Sequence, residues 1–147
     1  MVDTPADPHR AEADELVDAL VRTAFATMAV LHRVGADHDL SLTQLRVLAI
    51  LRDRRLRMTA LADHLGLEKS TMTGLVTRAE RRGLLRRATG AGDGRAVDVA
   101  LTPAGLELAG RLTGAVRRSL APLTDELAPA ERRRLHALLE RMLGGPD

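Results

Sequence analysis

Apolar positions along the chain recur mostly at helical spacing. Leu16, Leu20, Ala24, Met28 and Leu31 repeat every three or four residues, with Val17, Val21 and Phe25 beside them. The first segment therefore predicts an amphipathic helix over about residues 8–34. Asp7 is placed to cap its first N–H groups, Pro8 suits its first position, and Gly35 is the expected C′ stop. The stripe is wide, spans about four turns, and needs a partner surface that a short chain does not readily supply alone. Next, LSLTQLRVLAIL predicts a second helix. Ser41 and Gln44 have capping-box spacing, Leu40 is placed to staple onto Leu45, and Leu45, Leu48 and Leu51 form the inward face. Arg52, Arg54, Arg55 and Arg57 then make a basic exit.

The stretch from Met58 to Thr77 predicts two short amphipathic helices joined at a glycine. Ala62 is small where two helices cross closely, and Gly66, four residues on, suits the left-handed conformation of a tight turn. Leu61, Leu65 and Leu67 surround that turn, while Met72, Leu75 and Val76 face back from the second helix. This is the residue pattern of a helix-turn-helix. An ordinary αα-hairpin with polar outer residues shares much of it. The second helix carries Lys69, Ser70, Thr71, Thr73, Thr77 and Arg78 off its apolar face. Short hydroxyls near a helix N-terminus meet base edges and phosphates without bulk.

After Gly83, the period changes. Leu84 to Arg87 and Ala96 to Leu101 predict two strands, with Val97, Val99 and Leu101 alternating against Ala96, Asp98 and Ala100. TGAGDG between them predicts a flexible hairpin tip. A hairpin directly after a helix-turn-helix is a wing. Arg95 at its tip suits insertion into a minor groove, and Asp93 is placed to hold that side chain extended. The glycines lie between strands, not between a strand and a helix, which rejects a phosphate-cradling loop. Thr102-Pro103 starts a long helix whose face is Leu108, Leu112, Val116, Leu120 and Leu123, with Pro122 expected to kink or end it. Pro129 opens a last helix, with Glu131 in its first turn and Leu135, Leu138, Leu139 and Met142 on its face. Gly144-Gly145 ends that helix. The expected fold class is mainly α with a small β-wing: a winged helix-turn-helix between N- and C-terminal helices that pair two chains.

Charge sharpens this picture. Across the 147 residues the formal net charge is only +2, yet it is unevenly placed. Residues 1–40 hold three cations and eight anions; residues 41–101 hold twelve and six; residues 102–147 hold seven and six. The basic middle fits a polyanion footprint, and it also fits a solvated charged surface. With no cysteine, disulfides, thiolate zinc sites and thiol redox sensing are excluded. Phe25 is the lone aromatic, which excludes stacking platforms for single strands. No apolar run is long enough for a membrane span, and MVDTPADPHR lacks the features of an export signal, so a cytoplasmic protein without membrane association is expected. No nucleophile elbow, zincin pair or P-loop occurs, and neither an enzyme nor a cofactor is expected. His136 and Glu140, four apart on a helix, suit an exposed ion pair better than a metal site. Asp37, His38 and Asp39 fall in a solvated loop.

With these motifs in order, the chain resembles the multiple antibiotic resistance regulator (MarR) family from roughly Leu40 to Leu143. GDGRAVDVALTPAG fits the family's wing, ALADHLGL followed by KSTMTGLVTRAERRGLLRR fits its two reader helices, and LSLTQLRVL fits the helix before them. The resemblance implies a homodimer, with 1–147 as one domain. Its arm helices would lie over about 8–34 and 103–143, and its winged helix-turn-helix over about 41–102. It implies repression from palindromic operators, and release of double-stranded DNA when a small, often phenolic, effector binds between arm and reader. Residue by residue, Ser70, Thr71, Thr73 and Arg78 match reader positions, and Asp93 and Arg95 match the wing.

Three positions depart from the family pattern. Glu68 stands where a capping Ser is frequent, and it favours the helix dipole while repelling nearby phosphate. Arg57 stands where a capping Thr is frequent, so the first reader helix is expected to start at Thr59. Ala79 replaces a common Leu. The family's zinc sensors use a His pair on the helix after the wing and its peroxide sensors a cysteine; neither is present. Phe25 and His32 are effector-pocket candidates, with core or interface packing as the competing role. The other functional class left open is a helical protein-interaction module carrying a degenerate DNA reader.

Overall fold

The computed structural model describes residues 8–89 and 96–145. The elements run α1 (Pro8–Ala36), α2 (Leu42–Leu51), β1 (Leu56–Arg57), α3 (Met58–Leu65), α4 (Lys69–Arg81), β2 (Leu85–Thr89), β3 (Val97–Leu101), α5 (Pro103–Leu120) and α6 (Pro129–Met142). A 3-10 turn at Ala121–Leu123 follows α5, where Pro122 interrupts the helical hydrogen bonds. The three strands form one antiparallel sheet in the order β1-β3-β2. Leu56 pairs with Val99, and β2 pairs with β3 from Leu85↔Leu101 to Thr89↔Val97. Among the described residues, no helix is long and apolar enough to cross a membrane.

Leu51, Leu61, Met72, Val76 and Val99 are the largest fully buried side chains. They bring α2, α3, α4 and β3 to one core, from which α4 presents its polar face outward. The capping box at the start of α2 forms as its spacing predicts. Gln44 N–H donates to Ser41 Oγ at 3.2 Å, and the Ser41 N–H donates to Gln44 Oε1 at 2.8 Å. Thr102 likewise caps α5, accepting from the Gly105 N–H at 3.0 Å.

Several boundaries differ from expectation, each for a physical reason. Gly35 is not the C′ residue of α1; the helix runs through it to Ala36. The left-handed residue of this corner is Asp39, with φ 55. Gly35 is needed for close approach instead, since a Cβ there would lie 2.7 Å from the Leu40 carbonyl oxygen. Helix α3 begins at Met58, one residue before the expected Thr59, because Arg57 takes the extended N-cap conformation without a side-chain bond. Strand β1 is absent from the sequence reading: two residues of the basic exit pair with β3. The hairpin strands start one residue later than expected, and β2 continues to Thr89. The proposed cap Asp7 and the wing-tip residues Asp93 and Arg95 lie outside the described residues.

The two ends of the chain pack unevenly. On α1 only Val30, Val34 and Gly35 are buried, all near its C-terminus. On α6 every residue is exposed, including Leu135, Leu138, Leu139 and Met142.

Candidate nucleic-acid interface

Helices α3 and α4 meet across Ala62, which is 4% exposed, and turn at Gly66, whose φ of 64 is left-handed. The Gly66 and Leu67 N–H groups close the end of α3, donating to Asp63 and Ala62 carbonyls at 3.2 and 3.0 Å. The turn thereby satisfies helix-end carbonyls and redirects the chain. Met72, Leu75, Val76 and Ala79 anchor the inner face of α4 in the core. Lys69, Ser70, Thr71, Thr73 and Arg78 are exposed, and Thr77 is half-buried.

The hydroxyls on α4 divide into two kinds. Thr73 donates to the Lys69 carbonyl and Thr77 to the Thr73 carbonyl, both at 2.9 Å. Their protons are therefore committed, and the oxygens act as acceptors. Thr77 accepts from Arg87 Nη2, while Arg87 Nε also pairs with Glu80 at 3.2 Å. Thr77 is thus part of the tie between α4 and β2. Ser70 and Thr71, in the first exposed turn, carry the geometry suited to base edges or phosphates.

Between the start of α4 and the base of the wing lies a groove lined by Arg57, Met58, Thr59, Lys69, Thr73, Arg87, Ala96 and Val97. Among the described residues, three cations and no carboxylate line it, with Arg87 already paired to Glu80, and Arg57 and Lys69 are left to favour phosphate. The sequence pattern points to neither Arg57 nor Arg87 as lining this groove, and Arg81 is a further exposed cation at the end of α4. A helical projection of α4 finds Arg81, which shares a face with Ser70 and Thr77. Arg87 has no such local signal, because it reaches the site through strand pairing.

A second cleft lies among α1, α2 and α5. Leu31, Leu45, Leu48, Leu112 and Val116 supply apolar walls, and Arg52 and Arg117 also line it. Arg52 is held by Asp53 at 3.2 Å and donates to Thr113 Oγ1 at 3.2 Å. Phe25 and His32 are both exposed, and neither lines this cleft. His136 and Glu140 lie 4.0 Å apart on exposed α6, the geometry of a surface pair.

A three-stranded sheet behind a glycine-turned helix pair defines a winged helix-turn-helix protein. A MarR family model matches residues 38–96. The chain is 30% identical over 135 residues to the HTH-type transcriptional regulator PecS of Dickeya dadantii (strain 3937), covering 86% of this chain and 79% of that one. It is similar in structure to a MarR family regulator from Silicibacter pomeroyi, with a TM-score of 0.71 at 30% identity over 85% of each chain. It also resembles BpsR of Bordetella bronchiseptica, whose DNA binding is regulated by 6-hydroxynicotinic acid. There the TM-score is 0.67 at 28% identity, over 86% of this chain and 98% of that one. The chain belongs to the MarR family of transcriptional regulators.

Proposed function

We propose that this regulator acts in the cytoplasm as a homodimeric repressor, with 1–147 as a single MarR-type domain. It binds a palindromic operator on double-stranded DNA with α4 in the major groove and the wing in the minor groove. The observation that carries this reading is the two-sided build of α4. Its apolar side is anchored among buried Met72, Leu75 and Val76, while its opposite side exposes Ser70, Thr73 and Arg78. A rigid scaffold presenting short polar groups is what base-edge readout requires. The unpartnered apolar faces of α1 and α6 support pairing with a second copy, which presents two such helices to one duplex.

Ligand control belongs to the same reading. The cleft beside Leu31, Leu48 and Leu112 carries Arg52 and Arg117, so it suits a small apolar molecule bearing a carboxylate or phenolate. BpsR, regulated by a hydroxylated aromatic acid, supports this choice.

The test is a titration of a palindrome from the protein's own promoter region at several salt concentrations. With about three to five phosphates neutralised per subunit, the log–log slope for a dimer is expected near −5 to −9. A slope shallower than about −2 favours the protein-interaction module instead.

A further inference from the structure

The C-terminal end of α4 carries an arginine that faces away from the groove-reading surface. Arg82 Nη1 donates to the Asp39 carbonyl at 3.0 Å, and Nη2 donates to the His38 carbonyl at 3.1 Å. Both acceptors lie in the corner between α1 and α2, more than forty residues away in sequence. That corner has a fixed shape. Asp39 is left-handed at φ 55, the Leu40 N–H returns to the Gly35 carbonyl at 2.9 Å, and the His38 ring nitrogen lies 3.1 Å from the Val34 carbonyl. Arg82 also lines the small apolar pocket beside Leu40, Leu75, Ala79 and Leu84.

We infer that Arg82 is a positioning residue that sets the angle of the recognition helix against the arm, and is not a phosphate contact. The proposal rests on the DNA-binding reading above. The chemistry favours it. A guanidinium presents two parallel donors in a rigid fork, and two successive carbonyls meet that fork. The carbonyls lie in the turn just beyond Ala36, close to the negative end of the α1 dipole, so the cation is favoured there. Helix α1 belongs to the proposed pairing arm and α4 to the reader. A strut between their ends therefore fixes how far apart two recognition helices stand in a dimer.

The experiment uses the full chain and a duplex that the wild-type protein recovers from a random-sequence pool. Wild type, Arg82→Ala, Arg82→Lys and Arg78→Ala are titrated at several salt concentrations. The duplexes are the recovered one and versions with one or two base pairs inserted between half-sites. Amide exchange is followed on the free proteins. Arg82→Ala is expected to weaken the recovered duplex about tenfold, the loss of a two-pronged tie. Its salt slope stays that of wild type, and its penalty for the inserted base pairs shrinks. Arg82→Lys behaves like the alanine variant, because a single ammonium does not span both carbonyls. Arg78→Ala, in contrast, lowers the slope by about two for a dimer, at about 0.9 per lost phosphate contact.

Exchange at His38, Asp39 and Leu40 is expected to quicken in Arg82→Ala. A lowered slope in Arg82→Ala, full rescue by lysine, or an unchanged spacing penalty overturns the proposal. If the wild type recovers no duplex, the DNA-binding reading fails by itself. Exchange then decides the strut: quicker exchange at 38–40 supports it, and unchanged exchange overturns it.

Discussion

At the residue scale, two glycines hold the reader to its surroundings by the absence of a side chain. A Cβ on Gly105 would lie 2.1 Å from the Leu84 carbonyl oxygen, and one on Gly35 would lie 2.7 Å from that of Leu40. Both neighbours are backbone, so neither can step aside as a flexible side chain would. Alanine ordinarily stabilises a helix interior by about 1 kcal/mol over glycine. Here the overlap outweighs that gain, and each substitution is expected to destabilise by about 1–3 kcal/mol, Gly105→Ala the more. Urea midpoints measure this; a raised midpoint for Gly105→Ala would contradict the packing at Leu84. The same contrast explains what a sequence discloses at this scale. Ser41 and Gln44 are legible because a capping box is complete within four residues. The role of Gly35 is not, because its partner Leu40 becomes a neighbour only once Asp39 has turned the chain.

At the element scale, α4 and the wing form one unit through Arg87, Glu80 and Thr77. Exposed ion pairs contribute at most about 1 kcal/mol. The tie therefore orients β2 more than it stabilises the fold. Thr77→Val is expected to leave the urea midpoint within about 1 kcal/mol of wild type while weakening operator binding. Equal binding by wild type and Thr77→Val would remove that role. The helix-turn-helix was legible because Ala62, Gly66 and the apolar positions around them act locally. Strand β1 was not, since Leu56 and Arg57 become a strand only by pairing with Val99 and Asp98. For the wing, a minor-groove role predicts that Arg95→Ala loses about 1–3 kcal/mol of operator affinity. Arg95→Lys loses most of the same, because a narrow groove favours the weakly hydrated planar guanidinium. Asp93→Ala loses about 0.5–1.5 kcal/mol through a less well-held arginine. Titration against operator and scrambled duplex at one salt concentration separates the roles. Equal losses on both duplexes would make Arg95 a generic phosphate contact.

At the scale of the whole molecule, the distribution of exposed apolar surface decides what the chain needs. Phe25 is 68% exposed, Leu16 60% and Val17 55% on α1, and on α6 Met142 is 57% exposed. Leu135, Leu138 and Leu139 add 38%, 40% and 37%. A 14-residue helix that buries nothing within its own chain is marginal by itself, since isolated helices of that length barely persist in water. Fully burying an exposed large apolar side chain stabilises by about 1.5–3 kcal/mol, and these four, still about half exposed, would each contribute roughly half of that to the proposed pairing of two copies. Leu139 sits in the middle of that face. Leu139→Asp is therefore expected to yield a monomer by light scattering at micromolar concentration, with weakened operator binding and reduced helical circular dichroism. Dimeric reading also requires both recognition helices on one side of the duplex. Inserting about five base pairs between half-sites turns one of them to the opposite side, and tight binding by the wild type is expected to disappear. The monomeric variant, engaging one half-site at a time, is expected to bind both duplexes alike. A wild-type monomer, or a wild type indifferent to the insertion, would separate the apolar arms from DNA recognition and return them to some other partner.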